Sequence, residues 1–154
     1  MYAVRQWSVR HAGRLLRFYN MFESLLVRMA PVFRLLGYQR IEKPVAFVER
    51  AVKGLLFDCQ MCGRCVLTST GMSCPMNCPK QLRNGPCGGV RANGHCEVKP
   101  EMRCVWVDAY EGAQRVPGGL AAIAVVQAPV DRQLAGSSAW LRVAREKSEA
   151  AGAV

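Results

Sequence analysis

The sequence contains eight cysteines, all between residues 59 and 104. Thiolates ligate zinc and iron–sulfur clusters, and they form disulfides in oxidising compartments. The N-terminal segment has scattered arginines and lacks the apolar core and cleavage site of a secretory signal, so we expect a reducing, cytoplasmic location. We therefore predict metal ligation by Cys59, Cys62, Cys65, Cys74, Cys78, Cys87, Cys96 and Cys104.

The spacing of the cysteines indicates which metal centre they hold. Cys59, Cys62 and Cys65 form a C-x2-C-x2-C run, which sets three thiolates around one corner of a cubane cluster, and a distant cysteine followed by proline binds the remaining iron or a second cluster. Both Cys74 and Cys78 precede a proline. A single zinc ion usually takes two C-x2-4-C pairs. Two [4Fe–4S] clusters are predicted, with one cluster plus one zinc, or zinc only, as alternatives.

Other polar residues of this region do not form a catalytic set. His95 stands beside Cys96 and could ligate a metal or bond to a sulfur, but loop histidines are more often uninvolved, so we leave it outside the ligand set. No nucleophile with a paired base, no carboxylate pair and no phosphate-binding glycine loop is present. We predict no catalytic residue in this chain.

Helices are expected to lead into the cysteine region. Apolar residues recur at steps of three or four over residues 8–37, which predicts an amphipathic helix divided near Pro31. A second helix is predicted from Lys43 or Pro44 to Phe57. Residues 58–104 are rich in Cys, Gly and Pro, and we expect a loop stabilised by metal bonds because it buries little apolar surface.

The C-terminal part is predicted to be an extended arm followed by a helix. The apolar stretch over residues 120–130 has extended character, and the last helix is expected to begin near Ser137 or Ser138. The predicted fold is a small α plus irregular, metal-stabilised domain with little regular structure around the cysteines. Its segments are 1–57 (helical, partner docking), 58–110 (Cys-rich metal domain) and 111–154 (arm and short helix).

The N-terminal segment is both basic and apolar. Of the net charge of +10, residues 1–57 contribute +7, from ten Lys and Arg against three Glu. Residues 13–36 are apolar around most of the helix, which indicates burial. The helices are expected to dock on another subunit, with Phe22 and Leu25 at the interface; packing on the chain's own cysteine region, or on a membrane surface, is the alternative.

Two partners are not expected. No apolar run is long enough to span a bilayer, because arginines and a glutamate interrupt the most apolar segment. The positive charge alone does not predict nucleic-acid binding, since no helix-turn-helix, paired Cys/His finger or aromatic platform accompanies it.

A family resemblance covers the whole cysteine region. The segment FDCQMCGRCVLTSTGMSCPMNCPKQLRNGPCGGVRANGHCEVKPEMRCVWVDAYE, residues 57–111, closely resembles the cysteine-rich methylenetetrahydrofolate reductase C-terminal domain, which is similar to the small MetV subunit of bacterial reductases. CPMNCPK, NGPCGG, CEVKPE and CVW are its most specific motifs. The flanking VERAVKGLLFDCQ and APVDRQLAGSSAWL also look like the family's.

The resemblance implies a partner with the catalytic site. That partner is a MetF-type TIM-barrel flavoprotein, with FMN or FAD, which interconverts methylene- and methyl-tetrahydrofolate. The small subunit then holds iron–sulfur clusters on the eight cysteines and relays electrons between the flavin and a donor, either an acidic electron carrier or an NADH-oxidising subunit. Without a barrel, this chain alone should reduce no folate. A zinc-binding docking subunit with no redox role is the alternative.

Overall fold

Seven α-helices and two short 3-10 turns make up the regular structure of the computed structural model, which describes residues 2–152. The helices are α1 (Tyr2–Arg10), α2 (Ala12–Arg28), α3 (Ala30–Leu36), α4 (Tyr38–Phe57), α5 (Val105–Ala113), α6 (Gly119–Ala124) and α7 (Ala139–Gly152). The 3-10 turns are Pro75–Asn77 and Arg132–Leu134. Residues 2–152 contain no strand, and an isolated antiparallel bridge joins His95 to Arg103. The prediction of a small, mainly helical protein is confirmed.

The N-terminal helices are divided at more places than the sequence predicted. Residues 8–37 were expected to form one helix broken near Pro31, and the structure has breaks at His11 and Met29 as well as an additional helix, α1. Pro31 lies in the first turn of α3, where its missing N–H costs no helical hydrogen bond. The proline therefore lies at the start of a helix rather than at the break, which comes two residues earlier at Met29.

Helix α4 starts earlier than predicted. It begins at Tyr38 rather than at Lys43 or Pro44, so Pro44 lies inside it. The extra first turn is held by packing, because the Tyr38 ring contacts Phe33 edge-on at a centroid distance of 6.4 Å. Tertiary packing here outweighs the unfavourable helical propensity of proline.

The C-terminal helix packs against the N-terminal ones. Trp140 and Leu141 of α7 are buried with Leu26 and Phe33, and the Phe22 ring meets Trp140 edge-to-face at 4.8 Å. The backbone N–H of Leu141 donates to Ser138 Oγ at 3.2 Å. This is the N-cap that the sequence predicted for the last helix.

Two C-terminal elements differ from the predictions. Helix α5, directly after Cys104, was not predicted, although Val105 and Trp106 anchor it in the core. The stretch 120–130 was expected to be extended, but residues up to 124 belong to α6. Its alanines favour helix, which outweighs the β-branched residues nearby. Residues 126–130 have no regular secondary structure, and their extended character stays a prediction.

Residues 58–104 have little regular structure, as predicted. One 3-10 turn and the His95–Arg103 bridge interrupt a series of turns and loops that is tied down by backbone hydrogen bonds. Among residues 2–152, no helix combines the length and the apolar character that crossing a membrane requires.

Candidate metal centre

The structure divides the eight cysteines into two groups of four, each lining its own small cavity. The first group lines a cavity of about 20 Å³ and consists of Cys59, Cys62, Cys65 and Cys74. The second group lines a cavity of about 10 Å³ and consists of Cys78, Cys87, Cys96 and Cys104. All eight lie within the described residues and carry free thiols. The sequence spacing indicated that the first three cysteines belong together, but it did not assign the other five to a group.

The first group is positioned by the end of α4 and by the loop that follows. The side-chain amide of Asn77 donates to the Phe57 carbonyl at 2.9 Å, which joins the last turn of α4 to the turn after Cys74. Gly63, between Cys62 and Cys65, has a φ of +75°. A Cβ there would lie 2.7 Å from the Ser137 hydroxyl oxygen, so this tight passage requires glycine.

The second group is positioned by hairpin-like backbone bonds and by α5. The backbone N–H of Cys96 donates to the Met102 carbonyl at 2.9 Å, and that of Cys104 donates to Gly94 at 3.0 Å. Cys104 is the N-cap residue of α5. Cys87 is the exposed member of the group, and its sulfur lies 3.5 Å from a carboxylate oxygen of Glu97.

The two Cys-Pro pairs, four positions apart in the sequence, contribute to different groups. Cys74 precedes the 3-10 turn Pro75–Asn77 and Cys78 follows it, so the turn separates the two thiols between the two cavities. Sequence reasoning recognised both pairs as candidates to complete the first site but could not choose between them. The structure places Cys74 with the first three cysteines.

A buried ion pair that sequence reasoning missed lies against the first group. Lys53 Nζ is 2.5 Å from Glu49 Oε1, and both side chains are almost fully buried in the wall of the first cavity. Burial by itself would lower the pKa of Lys53, but the negative charges of Cys65 and Glu49 raise that pKa above its ordinary value. The i, i+4 spacing on the apolar face of α4 was the available signal.

The carboxylate of that pair also joins α4 to α7. Glu49 Oε2 accepts hydrogen bonds from the Ser138 hydroxyl at 2.6 Å and from the Trp140 backbone N–H at 3.2 Å. The Lys53 ammonium lies 5.3 Å from the centroid of the Trp140 ring. The wall of the first cavity is thus fixed to the N-terminus of α7.

Arg83 is a second charged residue beside the first group that the sequence did not reveal. Its Nη1 lies 3.9 Å from Cys62 Sγ, and its Nη2 donates to the Arg64 carbonyl at 2.8 Å. The residue is buried, and its Nε has no hydrogen-bond partner in the part of the chain that the structure describes. A buried guanidinium of this kind is stable only beside negative charge.

Burial disfavours the thiolate form of two cysteines of the first group. It raises the pKa of Cys74 to about 12, and it also raises the pKa of Cys59. Metal ligation requires thiolates. Any metal bound here would displace protons from these two thiols and would supply the positive charge that stabilises the thiolates.

Four thiols around each cavity suit a centre with four sulfur ligands, either zinc or an iron–sulfur cluster. The donor set fits, and a four-thiolate centre would supply the negative charge that Arg83 needs. Within residues 2–152, no three His, Cys, Asp or Glu side chains meet closely enough to hold a single ion as they stand. Metal ligation by the eight cysteines, the nature of the metal and its part in stabilising the loop stay predictions.

His95 lies outside both cavities. Its Nδ1 is 2.6 Å from the Pro100 carbonyl oxygen, and the ring does not line the wall of the second group. Asp108, which follows Cys104 in α5, forms an ion pair with Arg103, with 2.9 Å between Asp108 Oδ1 and Arg103 Nε. Burial raises the pKa of Asp108, and the Arg103 charge opposes that rise.

The fold and the two cysteine groups define a small helical protein with a pair of four-thiol sites. A family model described as methylene-tetrahydrofolate reductase C terminal matches residues 38–133, so the chain belongs to that family. The resemblance seen in the sequence is thereby confirmed. No curated protein and no solved structure matches the chain significantly. Helices α1 to α3 and α7 lie outside the matched residues.

Proposed function

We propose that this protein is the electron-transfer subunit of a methylenetetrahydrofolate reductase complex in the cytoplasm. The observation that carries the proposal is the division of eight free thiols into two groups of four around separate cavities. The family assignment supports the reductase context. Two separate centres of four thiolates are what a relay of two [4Fe–4S] clusters requires.

In this proposal the chain binds and tunes its clusters, and its partner performs the folate chemistry. Each cluster, when bound, accepts and returns one electron. The cysteines hold it, the glycine at position 63 allows the loop to approach it, and Arg83 and Lys53 balance the charge of the first centre. The partner is a TIM-barrel flavoprotein of the MetF type, carrying FMN or FAD. The external donor is an acidic carrier or an NADH-oxidising subunit.

An apolar groove between α2 and α4 is the proposed docking site for that flavoprotein. The groove has a volume of about 590 Å³ and is lined by Phe18, Val48 and Val52 among other apolar side chains. Large apolar residues continue beyond it on the exposed faces of both helices, including Phe47 at 74% exposure. An exposed apolar surface of this extent is typical of a protein interface.

The groove is adjacent to the first cysteine group. Lys53 and Leu67 line both the groove and the first cavity, so these two side chains form a common wall. A partner seated in the groove would therefore approach the first centre more closely than the second. This position suits electron transfer between the first centre and a flavin in the partner.

The charges around the groove favour an acidic partner surface. The three glutamates of residues 1–57 are engaged within the chain, because Glu23 pairs with Lys147, Glu42 accepts from the Ser138 backbone N–H, and Glu49 is buried with Lys53. The exposed cations on α2 and α4 make no ion pair within the described residues; they include Arg14, Arg17, Arg40, Lys43 and Arg50. Opposite charge would steer the partner to this face.

Phe22 and Leu25, both expected at the interface, have different environments. Phe22 is half-buried, packs on Trp140 and also lines the groove, whereas Leu25 is about half exposed on α2. The N-terminal helices therefore combine both sequence-based alternatives: one face packs internally, and the other is available for docking.

The metal content of the complex tests the proposal. The chain is purified anaerobically with its co-expressed partner, and iron, acid-labile sulfide, zinc and flavin are measured per chain. About eight iron and eight sulfide are expected, with the flavin bound to the partner. Zinc in place of iron and sulfide would overturn the redox role and favour the docking subunit. When the Phe47→Asp chain is co-expressed with the same partner, it should be purified without that partner. It should then keep its iron and contain no flavin.

A further inference from the structure

The first cysteine group lies against a buried cation that has no carboxylate partner. Arg83 is 6% exposed, and within residues 2–152 it makes no ion pair. Its Nη1 is directed at Cys62 Sγ, and its Nε has no partner. Lys53 also faces this group, but Glu49 lies on the same wall and offsets part of its charge. The net charge of the surrounding side chains is therefore positive.

The charges around the second group are either exposed or not directed at a cysteine sulfur. Lys80 and Glu97 form a pair beside Cys87, with side-chain exposures of 42% and 39%, so solvent screens them. Arg5 is buried behind the second cavity, but it reaches the Met102 sulfur rather than a cysteine, and it shares its pocket with Asp108 and Arg103. Within residues 2–152, no buried cation beside the second group is directed at a cysteine sulfur as Arg83 is at Cys62.

We propose that Arg83, supported by Lys53, is a positioning residue that makes the site of Cys59, Cys62, Cys65 and Cys74 the more easily reduced of the two. The inference rests on the proposed electron-transfer function. Reduction by the external donor adds one electron and one negative charge to the centre, and no bond forms or breaks. A buried cation beside a ligating sulfur stabilises the added charge, because the potential of such a centre depends on nearby charge and on hydrogen bonds to its sulfurs.

The two effects of burial act in opposite directions. Exclusion of solvent alone would disfavour the extra negative charge, and the second group, with its exposed Cys87, would then be reduced first. The guanidinium reverses this order because it lies at the ligand itself and is poorly screened in the buried wall. The electron is then held preferentially beside the groove in which the partner is proposed to dock.

A potentiometric titration of the reduced protein by electron paramagnetic resonance tests the inference. Arg83→Met is compared with Arg64→Met, which removes the same charge from an exposed position next to Cys65. The Arg83→Met change should lower the reduced-to-oxidised ratio of the higher-potential centre at least tenfold at a fixed solution potential, equivalent to about 59 mV for one electron. The Arg64→Met change should alter it less than threefold. A Cys104→Ser chain identifies the signal of the first centre.

Two further variants separate a charge effect from damage to the fold. Arg83→Lys should restore most of the shift, and Glu49→Gln should shift the same centre toward easier reduction, because it removes a negative charge from the same wall. Equal shifts for Arg83→Met and Arg64→Met, or a shift confined to the second centre, would overturn the inference and leave the proposed function intact. Zinc-containing protein without either signal would overturn both.

Discussion

Arg142 in α7 donates from its Nε to the carbonyl oxygen of Gly63 at 3.1 Å, so the C-terminal helix holds the loop between Cys62 and Cys65. Its Nη2 also donates to the Ser137 hydroxyl oxygen at 3.2 Å. Arg142 lies beyond the residues that match the family, yet it fixes the tightest part of the first cysteine group. Helix α7 therefore supports the loop of the first cysteine group.

Replacing Arg142 with alanine should loosen the first centre. A hydrogen bond from a charged donor contributes about 1.5–3 kcal/mol, and we expect a loss of about 2 kcal/mol in the free energy of unfolding. Metal at the first group should also be lost to a chelator several times faster than from the unmodified chain. Arg145→Ala, an exposed position one turn along the same helix, is the control and should change neither quantity. Equal chelation rates for the two variants would contradict the supporting role.

A close approach between two glycines fixes α5 against the loop that carries the first cysteines. A Cβ placed on Gly112 would collide with the carbonyl oxygen of Gly71, and one placed on Gly71 would lie 2.7 Å from the Ala109 carbonyl oxygen. Because these obstacles are backbone atoms, the neighbouring side chains cannot move to relieve the clash. The contact allows α5 to approach the loop closely and to support the core around both groups.

The glycine contact predicts opposite effects for two glycine-to-alanine changes within helices. Gly112→Ala should lower the free energy of unfolding by about 2 kcal/mol or more through overpacking. Gly54→Ala in α4, where no atom lies within 4 Å of the new Cβ, should raise it by about 0.5–1 kcal/mol because alanine favours helix. Denaturant unfolding of both variants measures the difference. A destabilised Gly54→Ala, or an unaffected Gly112→Ala, would show that the described packing is wrong.

The sequence predicted those parts of the site that depend on local spacing. Cys59, Cys62 and Cys65 could be assigned together because a fixed short spacing keeps their thiols close whatever the surrounding fold. The partition of Cys74 and Cys78 could not be predicted, since it depends on the direction of the chain through one 3-10 turn. That direction is set by tertiary contacts, such as the bond from Asn77 to Phe57.

Buried charges were the part of the site that sequence patterns concealed. Lys53 and Glu49 have the i, i+4 spacing of an ordinary solvated pair, and Arg83 lies in a polar loop sequence where an exposed cation is the usual expectation. The structure shows all three to be buried. The predicted start of α4 was wrong for a related reason. The packing of Tyr38 on Phe33 lets α4 begin at Tyr38, before Pro44, and this contact leaves no pattern in the local sequence.

The grouping of the cysteines predicts how paired serine substitutions combine. Cys74→Ser and Cys78→Ser should each leave about half of the iron and sulfide, because each removes a ligand from a different centre. The Cys74→Ser/Cys78→Ser chain should lose nearly all of both, whereas Cys59→Ser/Cys74→Ser, with both changes in the first group, should still keep about half. The two substitutions are independent only when they lie in different centres.

Iron and sulfide per chain, measured after anaerobic gel filtration, distinguish these outcomes, and circular dichroism controls for folding. If Cys59→Ser/Cys74→Ser lost all of its iron while Cys74→Ser/Cys78→Ser kept half, Cys74 would share a centre with Cys78. The grouping seen in the structure would then be wrong, although the presence of clusters would not be in doubt.

The docking groove predicts different consequences for two phenylalanines on neighbouring helices. Phe47 is 74% exposed on α4, whereas Phe22 on α2 packs edge-to-face on Trp140. Phe47→Asp should leave the free energy of unfolding within about 0.5 kcal/mol of the original, as expected for a surface change. Its dissociation constant from the flavoprotein should rise about 30-fold or more, the loss of at least 2 kcal/mol that marks a central interface residue.

Phe22→Asp should instead destabilise the chain by about 2 kcal/mol or more, since it removes a half-buried ring from its contact with Trp140 and places a charge in the apolar groove. Thermal unfolding and partner affinity, measured on both variants, separate a residue that acts only in docking from one that also supports the fold. A Phe47→Asp chain that binds its partner unchanged would show that the exposed face of α4 beyond the groove is not part of the interface.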